Sequence, residues 1–135
     1  MNDLNITLRV RYSEVDSQGI VFNANYLNYC DIAVTEYFRG MGKPYNEFLQ
    51  THSMDFHVIK ATVEYSRPAR FDDILILKIQ GEYAGPRIFW NIEMTRQDDT
   101  ICVAELVYAA IDTGNGRVRR LSPEIADALK LKLQT

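Results

Sequence analysis

Apolar and polar residues alternate, then recur every third and fourth place, then alternate again, and those changes of period divide the chain. Leu4, Ile6, Leu8 and Val10 lie on one face of an extended segment, predicting a strand over Leu4 to Tyr12. From Tyr26 the apolar positions fall at Tyr26, Leu27, Cys30, Ala33, Val34, Tyr37, Phe38 and Met41, the stripe of a long helix. Gly40, Gly42 and Pro44 stop it, and Asn23 or Asn25 is placed to cap its start. Tyr45 to Asp55 reads as a short irregular connection with room for one helical turn. Period two then returns in Phe56 to Tyr65 and Phe71 to Tyr83. It continues through Ile88, Trp90, Ile92 and Met94, and again through Ile101, Val103, Val107, Ala109 and Ile111. Gly85-Pro86, Gln97-Asp98-Asp99 and Thr113-Gly114-Asn115-Gly116 supply turns. A terminal helix is expected from Pro123, capped by Ser122 with Glu124 in its first turn.

One strand, one long helix and four strands on short turns predict an α+β domain in which a curved, mainly antiparallel five-stranded sheet wraps the helix. The 135 residues suit a single domain over 1–135, without repeats or linkers. A net charge of −3 argues against a nucleic-acid partner, which calls for a basic face. No apolar run reaches the length of a membrane span, and the start lacks the basic-then-apolar order of a signal peptide. With two cysteines, Cys30 in helical and Cys102 in strand-like sequence, buried inert thiols in a reducing cytoplasm are expected rather than a disulfide framework.

The chemistry concentrates in RVRYSEVDSQGIVFNANY, Arg9 to Tyr26. Asp16-Ser17-Gln18-Gly19 places a carboxylate on the turn between the first strand and the long helix, whose start carries free backbone donors. Asp first and Gly fourth are also what a type I turn asks for, so the tetrad has a purely structural reading as well. Neither His52 nor His57 has the spacing of a metal site, and no Ser or Cys sits in a nucleophile elbow. Arg67 and Arg70 read as anchors of a strand turn. Arg87, Arg117, Arg119 and Arg120 are free to meet phosphate.

The segment resembles the signature of the hotdog-fold acyl-CoA thioesterases, nearest the 4-hydroxybenzoyl-CoA thioesterase family and its bacterial relatives. Arg9, Val10, Asp16, Gly19, Ile20, Val21 and Tyr26 match that signature, and Tyr65 with RPARFDD (Arg67 to Asp73) resembles a second, strand-turn signature. Thr35-Glu36 is similar to the helix of many members. Val15 departs from the family's Thr or Cys, and Asn23 from its His or aromatic residue. The resemblance implies a hotdog fold and hydrolysis of an acyl thioester, carried by CoA or by acyl carrier protein. It implies Asp16 as base or nucleophile and the Asn23 backbone N–H as holder of the thioester oxygen. Gly19 then positions the turn, and Val21 and Tyr26 line the substrate. No cofactor is implied beyond the CoA of the substrate. A homodimer with the site at its interface is implied, with a tetramer as a further step. Two alternatives stay open: a hydratase or dehydratase on the same fold, and a non-catalytic thioester-binding dimer. The first relies on a histidine, and Arg9 to Arg39 contain none.

Overall fold

β1 (Leu4–Arg9) turns Leu4, Ile6 and Leu8 inward and Thr7 and Arg9 outward, as its alternation requires. A computed structural model describes residues 4–135. The strand ends at Arg9, short of the expected Tyr12, because Tyr12–Glu14 winds into a 3₁₀ turn. There the Arg11 N–H donates to Glu14 Oε1 at 2.8 Å, a local side-chain bond that competes with the ladder.

α1 (Asn25–Gly40) buries Tyr26, Tyr29, Cys30, Ala33, Val34, Tyr37 and Phe38. It closes in a Schellman arrangement, with Gly42 at φ +72° and the Lys43 N–H on the Phe38 carbonyl at 2.9 Å. The connection expected to be irregular is a helix, α2 (Tyr45–His52). Its anchors come from outside the segment: Tyr45 and Phe48 meet the Phe38 ring edge-on at 4.9 and 5.5 Å. Two turns are too short to stand on local propensity, so packing decides the conformation. The Arg119 guanidinium donates to the exposed His52 carbonyl end of α2 at 2.6 Å.

The remaining strands are β2 (Met54–Tyr65), β3 (Ile74–Ala84), β4 (Arg87–Arg96), β5 (Asp99–Asp112) and the two-residue β6 (Lys132–Leu133). The order across the sheet is β1-β3-β4-β5-β2, antiparallel throughout, and β6 adds in parallel to the end of β3. Register stacks buried rows across the sheet. Ile79 faces Ile92, which faces Ala104; Gly81 faces Trp90, which faces Leu106. A methyl group on Gly81 would lie 2.7 Å from the Trp90 ring, so the indole occupies the space a side chain there would need. Trp90 in turn meets Tyr37 at 4.9 Å, and the sheet thereby closes on α1. α3 (Pro123–Ala128) starts as expected, its Ser122 Oγ accepting from the Ile125 N–H at 3.2 Å. Leu129 and Leu131 then close the open end of the core. Among the described residues, no helix is long and apolar enough to cross a membrane.

Candidate active site

Residues 14–22 fold into a short hairpin whose tip is the Asp16 turn. The Gly19 N–H donates to the Asp16 carbonyl at 2.9 Å and the Asp16 N–H to the Ile20 carbonyl at 2.9 Å. Val15 bridges Val21, and Gly19 sits at φ +77°. This is a type I turn followed by a left-handed residue, and glycine takes that conformation without steric cost. One oxygen of the Asp16 carboxylate accepts from the Gln18 N–H at 2.8 Å. The other has no partner among the described residues. The carboxylate opens onto a cleft of about 510 Å³ lined by Tyr12, Val15, Asp16, Ser17, Gly19 and Phe71. Tyr12 and Phe71, 77% and 49% exposed, meet edge-on at 5.4 Å above it. The structural and the chemical readings of the turn therefore coexist, since the backbone makes the turn and leaves a carboxylate oxygen free.

Two braces hold the hairpin. The first is the loop after β2. The Val21 N–H donates to Ala69 O at 2.8 Å, Ile20 bridges Arg70, and the Phe71 N–H reaches Gly19 O at 3.4 Å. That loop is itself fixed by Asp73, whose Oδ2 accepts from the Arg70 N–H at 2.8 Å and from Arg96 at 2.7 Å. Arg70 thus serves the turn through its backbone, while Arg67 pairs loosely with Asp99 at 3.9 Å. The second brace is Glu14. Its carboxylate accepts from the Tyr29 hydroxyl at 2.9 Å, and its carbonyl accepts from Asn25 Nδ2 at 2.8 Å and from the Phe22 N–H at 3.0 Å. Position 14 therefore couples the hairpin to the first turns of α1.

At the head of α1 neither asparagine caps as expected. Ala24 occupies the cap position without a side-chain bond, and the Asn25 amide is spent on Glu14. As a result the N–H groups of Asn23 and Ala24 have no acceptor among the described residues. They lie at the positive end of the helix, where anionic oxygen is favoured. The Asn23 carbonyl accepts from the Tyr65 hydroxyl at 3.2 Å.

Asp16 and Gly19 thus share the cleft, whereas Asn23 lies at the opposite end of the hairpin and does not line it. Val21 and Tyr26 are core residues, 4% and 3% exposed. The Tyr26 hydroxyl accepts from the Ala69 N–H at 3.2 Å, and burial raises its pKa. Burial also pushes the thiol of Cys30 up to about 12 and that of Cys102 to about 11, so both stay protonated and inert at neutral pH. His52 meets Phe48 at 4.4 Å with its ring tilted by 49°, and His57 lies exposed on β2; neither lines the cleft. Sequence reasoning passed over Tyr12, Glu14 and Arg96, and took Phe71 and Asp73 only as part of the RPARFDD signature, without a role at the cleft. Tyr12, four residues before Asp16, was the available signal, whereas Phe71 reaches the turn only in the fold. The partners of Glu14 and Arg96 are set by the fold.

The sequence model of the Thioesterase superfamily matches residues 18–103, starting just past Asp16. The acyl-CoA thioester hydrolase YbgC of Escherichia coli O6:H1 is 30% identical over 127 residues, 91% of this chain and 92% of that one. The acyl-CoA thioesterase YbgC of Haemophilus influenzae is 27% identical over 114 residues, 84% of each chain. A hypothetical protein from Aquifex aeolicus superposes with a TM-score of 0.85 at 24% identity, over 93% of this chain and 98% of that one. The Synechocystis 1,4-dihydroxy-2-naphthoyl-CoA thioesterase gives 0.85 at 14% identity, over 95% and 96%. At such identities these two structures show the shared fold, while the family match and the E. coli relative carry descent. On the wrapped helix, the antiparallel sheet and these matches together, the chain belongs to the thioesterase superfamily and has its hotdog fold.

Proposed function

We propose that the protein hydrolyses acyl-CoA thioesters to the free acid and CoA, with Asp16 as general base or nucleophile. The observation that carries this reading is the unpaired Asp16 oxygen on an open cleft of about 510 Å³. As a base, that oxygen takes a proton from the water that attacks the carbonyl carbon. As a nucleophile, it attacks the carbon itself and forms a mixed anhydride that water then opens. On either route the carbonyl oxygen gains negative charge and CoA leaves as its thiolate. A thiol of pKa about 8.5 leaves without a strong general acid, so the lack of a histidine at the cleft is no obstacle. The Asn23 N–H takes the developing oxyanion, with the Ala24 N–H beside it. Gly19 holds the turn, and Val21 and Tyr26 form the apolar support beneath the acyl group.

Because Asn23 does not line the Asp16 cleft within one protomer, we infer that the complete site lies at a homodimer interface. Of the four arginines Arg87, Arg117, Arg119 and Arg120, Arg119 is engaged on α2, which leaves the other three as candidates to meet the phosphates of CoA. No cofactor beyond the CoA moiety enters, and the reaction belongs in the cytoplasm, where CoA or acyl carrier protein presents the acyl group.

Thiol release from a panel of straight-chain and aromatic acyl-CoAs tests this reading. Asp16→Ala is expected to lose at least about 10²-fold in kcat/KM while keeping its fold. Unchanged turnover in Asp16→Ala and Asp16→Asn would remove the carboxylate from the mechanism.

A further inference from the structure

We propose that Tyr65 is a positioning residue for the reaction, orienting and polarising the Ala24 amide at the head of α1, one of the two free donors there. Tyr65 is the last residue of β2 and far from the Asp16 segment in sequence. Its hydroxyl donates to the Asn23 carbonyl at 3.2 Å, and its ring meets Tyr26 edge-on at 5.3 Å and 68°. The side chain is 54% exposed, so it adds little to the core. Those two contacts fix a large exposed side chain against one peptide unit.

That unit joins the Asn23 carbonyl to the Ala24 N–H. A hydrogen bond to a peptide carbonyl draws electron density away from its nitrogen and makes the N–H a stronger donor. The same carbonyl accepts the Tyr26 N–H at 3.3 Å, a long bond of the first helical turn. The Tyr65 hydroxyl adds a second contact and fixes the plane of the peptide, and with it the direction of the Ala24 N–H. The effect belongs to the charged oxygen of the transition state more than to the neutral carbonyl of bound substrate, so it acts on kcat. This inference rests on the reading of these amides as donors to the thioester oxygen.

Tyr65→Phe keeps the ring and removes the donor. It is expected to lower kcat about three- to tenfold, the weight of one neutral hydrogen bond, with KM within about twofold of wild type and an unchanged melting temperature. Tyr65→Ala, which also removes the ring, should lose more. A ketone analogue of acyl-CoA, with CH₂ in place of sulfur and a ¹³C-labelled carbonyl, reads the polarisation without turnover. Bound to wild type, its carbonyl stretch should fall below the value in water, and Tyr65→Phe should return part of that shift. If Tyr65→Phe matches wild type in kcat or in the stretch, or changes KM alone, Tyr65 has no such role. If the wild-type stretch does not fall at all, the amides are not donors and the parent reading fails with it.

Discussion

At position 19 the backbone runs at φ +77°, and a methyl group added there would meet no atom within 4 Å. Substitution therefore costs backbone strain alone, about 1 kcal/mol for a left-handed alanine. We expect Gly19→Ala to melt a few degrees below wild type and to lower kcat, since the turn that strains is the one carrying Asp16. Gly19→Asn should regain part of the stability, because asparagine tolerates this conformation. An alanine variant with wild-type melting and turnover would show that the turn is not under this constraint. The tetrad was legible in the sequence because Asp and Gly occupy positions where a local rule applies. Glu14 was not, since its partners Asn25 and Tyr29 become neighbours only after α1 docks. The asparagine caps were misjudged for the same reason: Asn25 suits a helix end, but the Glu14 carbonyl competes for its side chain and wins.

Among the elements, strongly periodic segments were readable and short ones were not. α1 and the inward rows of β3, β4 and β5 follow their patterns because each buries a whole face. α2 and β6 were missed, since eight residues and two residues hold their shape through Phe38 and through the end of β3. The stretch Phe71 to Asp73 was expected to open β3 but forms the loop that braces the Asp16 hairpin. Asp73 is the keystone of that loop, its Oδ2 accepting from both Arg96 and the Arg70 N–H, with side chains only 26% and 23% exposed in the ion pair. Removing it takes from the Arg96 guanidinium its shortest partner, leaving the Pro68 carbonyl at 3.1 Å and Asp99 at 3.8 Å, and leaves the Arg70 N–H unpaired. Asp73→Ala should cost about 2 kcal/mol in chemical denaturation, and kcat should fall with it as the loop releases Val21 and Gly19. Asp73→Asn, which keeps one acceptor, should cost less. A full-stability Asp73→Ala would place the brace elsewhere.

For the molecule as a whole, the order of strands around one helix was enough to fix the fold class, whereas the partner of the sheet edge lies beyond any pattern in one chain. Among the described residues β2 pairs only with β5, so its other edge presents unpaired main-chain groups. A bulge falls between Val58 and Lys60, and Val58 and Ile59 stand 56% and 49% exposed there. An apolar edge of this length favours association unless something covers it. A second copy of the chain is the occupant that also answers the split site, because antiparallel pairing of two β2 edges relates the protomers by a two-fold axis. Tyr65, which closes β2, then ties that edge to the head of α1. Light scattering should therefore give particles of twice 15.6 kDa at assay concentrations. The double substitution Val58→Lys and Ile59→Lys puts like charges across the seam and should shift the mass to that of one chain, with thioester hydrolysis falling in step as the protein is diluted. A wild type that turns over as a 15.6 kDa particle would mean that one protomer holds a complete site.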